Sequence, residues 1–242
     1  MNEFVSMIER IKEDARTLLQ NDSLKLKRAI IREIDYLWHA YSKQYDFGNI
    51  EKFADYIFNF LKIPAVNRNE ILKDLREAQL QIGTVWDEYF KASVGEKYKA
   101  IDYEKILAVH SVDFPAIQKN TRDLVVKTFR ESVRKNYSFE TIRAELQKGN
   151  VGTHEAFTLS STGMAQYANA TMFEYARQAG LNKFLYNRIG SLTENSRPFC
   201  VVHHKKIFTY EQILTLDNGQ GLSVLTSCGG YLCKDFWSVI VD

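Results

Sequence analysis

The chain contains little cysteine, little proline and no long apolar run. Three cysteines and three prolines occur among its 242 residues. No apolar segment approaches the roughly 20 residues that a membrane-spanning helix requires. Residues 1–4 also lack the basic start and apolar stretch of a signal peptide. These absences predict an intracellular protein without a membrane anchor, whose cysteines serve as thiols or metal ligands rather than as a disulfide framework.

An excess of charge of one sign is absent as well. The 32 lysines and arginines nearly balance the 30 acidic residues, which leaves a net charge of +2. This balance does not require a nucleic-acid partner, so a basic surface has to come from local clustering. The sequence also has no phosphate-binding loop, no dinucleotide-binding fingerprint and no paired acidic residues with the spacing of acid–base catalysis.

Helical periodicity occupies most of the chain. Apolar residues recur every three or four positions up to about Gly180. Hydrophobic residues make up 45% of the chain and aromatic residues 13%, which is enough for a substantial core. Ser138 and Thr209 predict helix starts, because their hydroxyls can accept from unpaired backbone amides. Breaks between helices are predicted at residues 21–23, 47–49, Pro64, Gly95, Pro115 and 149–150.

After Gly180 the pattern changes to short aromatic segments that turn residues separate. Strands are predicted at residues 183–189, 207–208 and 236–241. We therefore predict a mainly α fold in which a long helical N-terminal region, residues 1–150, docks partners. A small, turn-rich α+β C-terminal module follows over residues 151–242.

All three cysteines lie in this C-terminal module. Zinc is held by four ligands, and sulfur and imidazole suit it. Four such ligands are available on two loops with C-x2-H and C-x4-C spacing: Cys200, His203, Cys228 and Cys233. They predict a structural zinc site, with His204 as the alternative to His203. The other interpretation is that the cysteines are small buried residues in a tight turn and the histidines are solvated.

Cys200 and His203 also have the residue types of a catalytic thiol pair. No local signature of a thiol protease surrounds them, and such signatures do not transfer between families. Because the sequence contains no other catalytic set, we expect a protein without enzymatic activity.

Three short stretches concentrate positive charge. They are Lys25, Lys27, Arg28 and Arg32; Lys127, Arg130, Arg134 and Lys135; and residues 203–206. The second stretch has helical spacing, so much of it can share one face and contact nucleic-acid phosphates or a partner protein. The alternative is a solvated face whose cations pair with acidic neighbours.

An ordered series of residues runs through the C-terminal module. It comprises Tyr186, Arg188 and Gly190, then 197–200, then Phe208, Thr209, Glu211 and Ile213, then 216–219, and finally 229–231, Cys233 and Trp237. Together with Asn169 and the helix end at residues 179–180, this series resembles the C-terminal domain of phage Mu protein F-type minor head proteins. The resemblance covers roughly residues 150–242, and helical N-terminal regions are expected in that family.

The chain departs from the family pattern at two places. Residues 193–196 stand where the family often has Asp-x-Arg-Thr, and residues 232–235 stand where it often has Asn-Cys-Arg-His. Asp235 thus occupies the position of a histidine. We expect this replacement to weaken any metal site that used the histidine.

The resemblance implies a structural protein of a tailed phage. Such a minor head protein acts in head morphogenesis, lies inside the capsid near the portal and assists DNA packaging or delivery. Its partners would be portal, capsid or scaffold proteins and packaged double-stranded DNA, and its location the virion, with the host cytoplasm during assembly. Two alternatives remain open: an effector or toxin-like enzyme built on the same module, and a zinc-stabilised nucleic-acid-binding module.

Overall fold

The computed structural model describes residues 2–44, 50–62, 64–110, 114–135, 137–149, 153–188 and 191–241, and these residues are mainly helical. The helices are α1 (Asn2–Gln44), α2 (Ile50–Phe60), α3 (Ala65–Val94), α4 (Tyr103–Val109), α5 (Phe114–Arg134), α6 (Phe139–Lys148), α7 (Thr153–Gln178), α8 (Pro198–His203), α9 (Tyr210–Leu214) and α10 (Val224–Ser227). None of the described helices combines the length and the apolar character needed to cross a membrane. The predicted mainly α fold is confirmed.

A small antiparallel sheet lies near the C-terminus. Its strands are β1 (Phe184–Arg188), β2 (Ile207–Phe208) and β3 (Asp235–Val239), in the order β2-β1-β3. In the register of β1 and β3, Tyr186 pairs with Trp237 and Arg188 pairs with Asp235. These strands and the short helices around them confirm the predicted α+β character of the C-terminal module.

Side-chain caps fix the two helix starts that the sequence predicts at Ser138 and Thr209. The Ser138 hydroxyl accepts from the Thr141 amide at the start of α6. Thr209 and Gln212 form a reciprocal capping box at the start of α9. Each cap satisfies amides that the first turn of a helix leaves unpaired, so the predicted starts at Ser138 and Thr209 are confirmed.

Helix α1 is continuous, so the break predicted at residues 21–23 is wrong. Asp22 is buried within the helix, and its Oδ1 accepts from Lys25 Nζ at 2.8 Å. Leu19 and Leu26 on either side are both fully buried. The packed apolar stripe therefore runs through the polar residues, and tertiary packing overrides their weak helix propensity.

The chain divides into two compact units, each assembled from separate stretches. Unit 1 consists of Met1–Thr17, Asp74–Val112 and Thr158–Asp242, and unit 2 consists of Leu18–Lys73 and Asp113–Phe157. The sequence-based boundary at residue 150 concerns the extent of the family-like module, and it stays a prediction.

Unit 2 has an aromatic core made of Trp38, Tyr41, Phe53, Phe129 and Phe139. The rings of Trp38 and Phe139 stack with centroids 4.4 Å apart. Phe53 meets Trp38 edge-to-face at 4.8 Å and Phe129 edge-to-face at 5.3 Å. Such aromatic pairs add to the stabilisation that burial of their apolar surface provides.

Unit 1 contains a hydrogen-bonded network around Asp87. The hydroxyls of Tyr98 and Tyr175 both donate to Asp87 Oδ1, and Lys91 Nζ pairs with Asp87 Oδ2. The hydroxyl oxygens of Tyr103 and Tyr175 lie 2.8 Å apart. The part-buried carboxylate is thus satisfied by several donors.

The C-terminal end of unit 1 packs α7 against the sheet. The rings of Phe173 on α7 and Phe184 on β1 lie 4.4 Å apart. Trp237 on β3 is fully buried, its ring lies 4.8 Å from that of Tyr186, and its Nε1 donates to the Val224 carbonyl at 3.1 Å. This packing fixes the strands from which the candidate site is built.

Candidate metal centre

Three potential metal ligands converge at one end of the sheet. Cys200 lies on α8, Cys233 precedes β3, and Asp235 is the first residue of β3. The Sγ atoms of Cys200 and Cys233 are 3.7 Å apart, and Cys233 Sγ is 3.3 Å from Asp235 Oδ2. All three residues are buried, and their ligand atoms lie within 4.8 Å of one another. This cysteine–aspartate cluster can therefore hold a metal ion.

Arg188 orients the carboxylate of the cluster. Its Nε donates to Asp235 Oδ1 at 2.9 Å and its Nη2 donates to Asp235 Oδ2 at 3.1 Å. Its Nη1 donates to the Ser196 hydroxyl at 3.0 Å. The Asp235 side chain has no exposed surface and that of Arg188 has 10%. Because the two residues face each other in the β1–β3 register, the strand pairing itself places this buried ion pair.

Backbone amides and a hydroxyl point at the two sulfurs. The amides of Gly229 and Asp235 donate to Cys233 Sγ at 3.3 and 3.5 Å. The Tyr186 hydroxyl donates to Cys200 Sγ at 3.5 Å. Donors in these positions favour a thiolate over a thiol, since they compensate its negative charge.

The pKa values of the two thiols of the cluster are shifted in opposite directions. The hydrogen bond with Cys200 lowers the pKa of Cys233 against the effect of burial, and the amides of Asp235 and Gly229 lower it further. The hydrogen bond with Cys233 raises the pKa of Cys200, and burial raises it too. Cys233 is therefore the first of the pair to become a thiolate, which is the form that binds metal.

The turn before Cys233 has no room for a larger residue. A Cβ added at Gly229 would overlap Cys200 Sγ and would lie 3.1 Å from Cys233 Sγ. Cys228 and Gly230 have positive φ angles of 50° and 104°. Glycine at position 229 is thus required by the close approach of the backbone to both sulfurs.

The structure brings together two of the four predicted zinc ligands, Cys200 and Cys233, and leaves the other two outside the cluster. His203 Nδ1 lies 2.7 Å from the Phe199 carbonyl oxygen, and its ring packs 4.2 Å from that of Phe199. Cys228 is buried 3.6 Å from Asn169 Nδ2, and burial raises its pKa well above the ordinary value. Cys228 is not among the three residues whose ligand atoms lie within 4.8 Å of one another, and its role as a zinc ligand stays a prediction.

Asp235 is a potential ligand that the sequence-based prediction did not include, although its carboxylate belongs to the cluster. The expectation that an aspartate in place of a histidine weakens a metal site stays a prediction. The available signal was the spacing Cys233-x-Asp235. Alternate residues of an extended segment project to the same side, so a strand starting here places sulfur and carboxylate together.

A cleft of about 360 Å³ adjoins the cluster. Its lining includes both cluster cysteines and three cations, Arg188, Arg197 and Lys234. Arg197 is held in place because its Nη1 donates to the Gly229 carbonyl at 3.2 Å. The sulfurs are thus reached from a small cationic cavity.

The predicted basic face on α5 lies in unit 2 and is interleaved with carboxylates. Arg130 Nη2 pairs with Asp55 at 2.8 Å, and Lys127 Nζ is 3.8 Å from Glu131. Lys135 Nζ lies over the Tyr137 ring, 5.8 Å from its centroid. Arg134 lines a cleft of about 620 Å³ together with these acidic residues. A role of Lys127, Arg130, Arg134 and Lys135 in binding nucleic acid or a partner stays a prediction.

Comparison with protein-family models, with curated proteins and with solved structures finds no match for this chain. The function proposed below therefore depends on the sequence series and on the geometry of the cluster.

Proposed function

We propose that this chain is a minor head protein of a tailed phage, acting in head morphogenesis near the portal, with a C-terminal module that a zinc ion stabilises. The observation that supports it is the convergence of residues that carry the family resemblance on one buried site. Five of them, Tyr186, Arg188, Cys200, Gly229 and Cys233, are far apart in the sequence, yet they form or contact the cysteine–aspartate cluster.

Individual contacts show how these residues meet at the cluster. The Tyr186 hydroxyl contacts Cys200, Arg188 holds the carboxylate beside Cys233, and the Gly229 amide contacts Cys233. The Trp237 ring packs on that of Tyr186. Part of the ordered series therefore belongs to one buried site, which supports the resemblance more strongly than isolated motif matches would.

The metal in this proposal is zinc, because the geometry of the cluster suits a tetrahedral ion with sulfur ligands. Zinc–sulfur bonds of about 2.3 Å in a tetrahedron place two sulfurs about 3.8 Å apart. The separation between Cys200 Sγ and Cys233 Sγ is 3.7 Å. Two thiolates and one carboxylate carry three negative charges, which a zinc ion and the Arg188 guanidinium would balance.

Elemental analysis tests the zinc part of this proposal. The full chain, purified without added metal or chelator, is expected to contain about one zinc per molecule. Cys233→Ser should lose the metal. Cys228→Ser is the matched control, because it removes a buried thiol outside the cluster, and it should keep the metal. Wild-type protein without zinc, or equal loss in both variants, would reject a metal centre at the cluster.

The composition of purified phage heads tests the proposal that the chain is a minor head protein. Heads assembled in cells that produce the chain would be purified on a gradient and analysed by quantitative mass spectrometry. We expect the chain in the particles at few copies per portal, and bound to purified portal protein. A chain that is absent from particles and does not bind the portal would overturn the assignment, whatever its zinc content.

One observation favours an enzyme on the same module as the second candidate. The cluster supplies three protein ligands and adjoins a cationic cleft, whereas structural zinc sites usually have four protein ligands. Cys200, Cys233 and Asp235 would hold the zinc ion, which would supply Lewis-acid chemistry for hydrolysis, and Arg197 and Lys234 in the cleft would bind an anionic ester. Zinc-loaded protein that cleaves p-nitrophenyl phosphate, with loss in Cys200→Ser, would support this candidate; no turnover above that of Cys200→Ser would remove it.

A further inference from the structure

A groove of about 650 Å³ in unit 2 is lined by cations. It lies between the segment of α1 around residues 24–32 and the exposed face of α6. Its lining consists of Leu24, Lys25, Lys27, Arg28, Ile31, Arg32, Arg143 and Gln147. Five of these residues carry a positive charge, and none of the described residues that line the groove is acidic. We call this feature the α1–α6 groove.

Three of the five cations are held by partners within the unit. Lys25 Nζ pairs with Asp22 at 2.8 Å, and Lys27 Nζ donates to the Gly149 carbonyl. The Arg143 guanidinium donates to both carboxylate oxygens of Asp35, at 2.6 and 2.8 Å. These contacts fix the walls of the groove, but the carboxylates do not line it.

Arg28 and Arg32 are different, because both are exposed. In the part of the chain that the structure describes, neither forms an ion pair with a carboxylate. They stand one helical turn apart on α1, where like charges repel and destabilise a helix by a few tenths of a kcal/mol. Two guanidinium groups therefore face the groove with their charge uncompensated.

The cleft lined by α5 residues in the same unit provides the contrast. It has nearly the same volume, about 620 Å³, and three cations also line it: Lys127, Arg130 and Arg134. Its lining includes an equal number of carboxylates, those of Asp55, Asp123 and Glu131. A lining whose charged residues are all positive, as in the α1–α6 groove, is therefore not a general property of the surface of unit 2.

We propose that the α1–α6 groove binds the phosphodiester backbone of a nucleic acid, with Arg28 and Arg32 as the principal contacts. The planar guanidinium fork matches the oxygens of a phosphate group and stays charged at every physiological pH. Among the lining residues that the structure describes, none is aromatic and Leu24 is the one exposed apolar side chain. A protein partner usually needs a buried aromatic or apolar anchor, so the lining favours phosphate.

Contacts to phosphate carry no sequence information, so the groove would bind without preference among base sequences. Each phosphate contact releases counterions, which makes the affinity fall steeply with salt. This inference does not depend on the cysteine–aspartate cluster or on the head-protein assignment, since it concerns a different unit and a different measurement.

The test uses fluorescence anisotropy with the full chain and a labelled mixed-sequence DNA duplex, from about 50 mM to about 200 mM salt. Arg28→Ala/Arg32→Ala should weaken binding at least about tenfold at 100 mM salt and reduce the salt slope by about two. Lys127→Ala/Arg134→Ala removes the same charge from the mixed cleft, which is the other surface that the sequence predicts to contact nucleic acid. Because the present inference assigns the binding to the α1–α6 groove instead, this variant should change the affinity less than about twofold. Arg28→Lys/Arg32→Lys keeps the charge and should retain most of the salt slope.

Four results would overturn the inference. They are no duplex binding by the wild-type chain at the lowest salt, equal losses in both double-alanine variants, loss confined to the α5 variant, and tighter binding of poly-glutamate than of DNA. Circular dichroism melting of each variant establishes whether it folds. If Arg28→Ala/Arg32→Ala does not fold, Arg28→Gln/Arg32→Gln, which removes the charge but keeps most of the side chain, replaces it and should show the same losses of affinity and of salt slope.

Discussion

The cysteine–aspartate cluster of unit 1 and the aromatic core of unit 2 are held together by different kinds of contact. The cluster depends on single polar and sulfur atoms, such as the carboxylate of Asp235 between Arg188 and Cys233. The aromatic core depends on the shared burial of several rings, among which Phe53 and Phe129 have no exposed surface. Apolar packing loses stability in proportion to the volume removed, whereas a buried polar cluster fails when one partner is lost.

The largest difference is expected between two arginine–aspartate pairs. Arg188–Asp235 in unit 1 and Arg143–Asp35 in unit 2 are both bidentate pairs. The side chains of Arg188 and Asp235 are 10% and 0% exposed. The side chains of Arg143 and Asp35 are 38% and 26% exposed. Arg188→Met should lower the free energy of unfolding by about 3–5 kcal/mol, because it leaves a buried charge unpaired. Arg143→Met should cost less than about 1 kcal/mol. Chemical denaturation measures both, and equal losses would contradict the comparison.

The next effect concerns the turn at Gly229. Gly229→Ala should lower the free energy of unfolding by about 1–3 kcal/mol, because the added Cβ overlaps Cys200 Sγ and forces the sulfurs apart. It should also weaken zinc binding, which a competition titration with a chromophoric chelator measures. Unchanged stability together with unchanged zinc affinity would show that the backbone there is not constrained by the sulfurs.

In the aromatic core, Phe53→Leu should cost about 1–2 kcal/mol. The substitution removes part of a ring that contacts Trp38 and Phe129, but it leaves no polar atom unpaired. Zinc content should stay that of the wild type, and thermal melting with elemental analysis checks both expectations. Loss of zinc in this variant would mean that the two regions are not independent.

The smallest effect is expected at Asp87 and depends on pH. Burial alone would raise the pKa of Asp87, but the hydrogen bonds from Lys91 and two tyrosines lower it below the ordinary value. A carboxyl with a lowered folded pKa stabilises the fold above its unfolded pKa and loses that contribution as pH falls through the folded pKa. Asp87→Asn should therefore lower the melting temperature slightly at neutral pH, and the difference should shrink toward pH 3. A difference that grows in acid would contradict the sign.

Much of the fold was predictable because local chemistry determines it. Ser138 and Thr209 start helices through caps that involve neighbours three residues away, and short-range sequence contains this information. The continuity of α1 was not predictable in the same way. It depends on the burial of Leu19 and Leu26 by residues distant in sequence, which outweighs the polar residues 21–23 between them.

The candidate site was predictable only in part. Cysteine is a metal-binding residue type, so Cys200 and Cys233 indicated a metal site. Their separation in the sequence does not show which other side chains the fold brings near them. His203 follows Phe199 by one helical turn on α8 and packs against its ring, and it does not belong to the group of close ligand atoms at the cluster. Asp235 joins the cluster because the pairing of β3 with β1 places it opposite Arg188, a long-range constraint that residue spacing does not show.

X-ray absorption at the zinc edge tests most directly whether the cysteine–aspartate cluster is one metal centre. For the full chain we predict two sulfur ligands at about 2.3 Å, from Cys200 and Cys233, and oxygen ligands at about 2.0–2.2 Å, one of them from Asp235. Cys228→Ser should leave the spectrum unchanged. Three sulfur ligands, an imidazole signature from His203, or a shell of oxygen alone would contradict the cluster as the metal site.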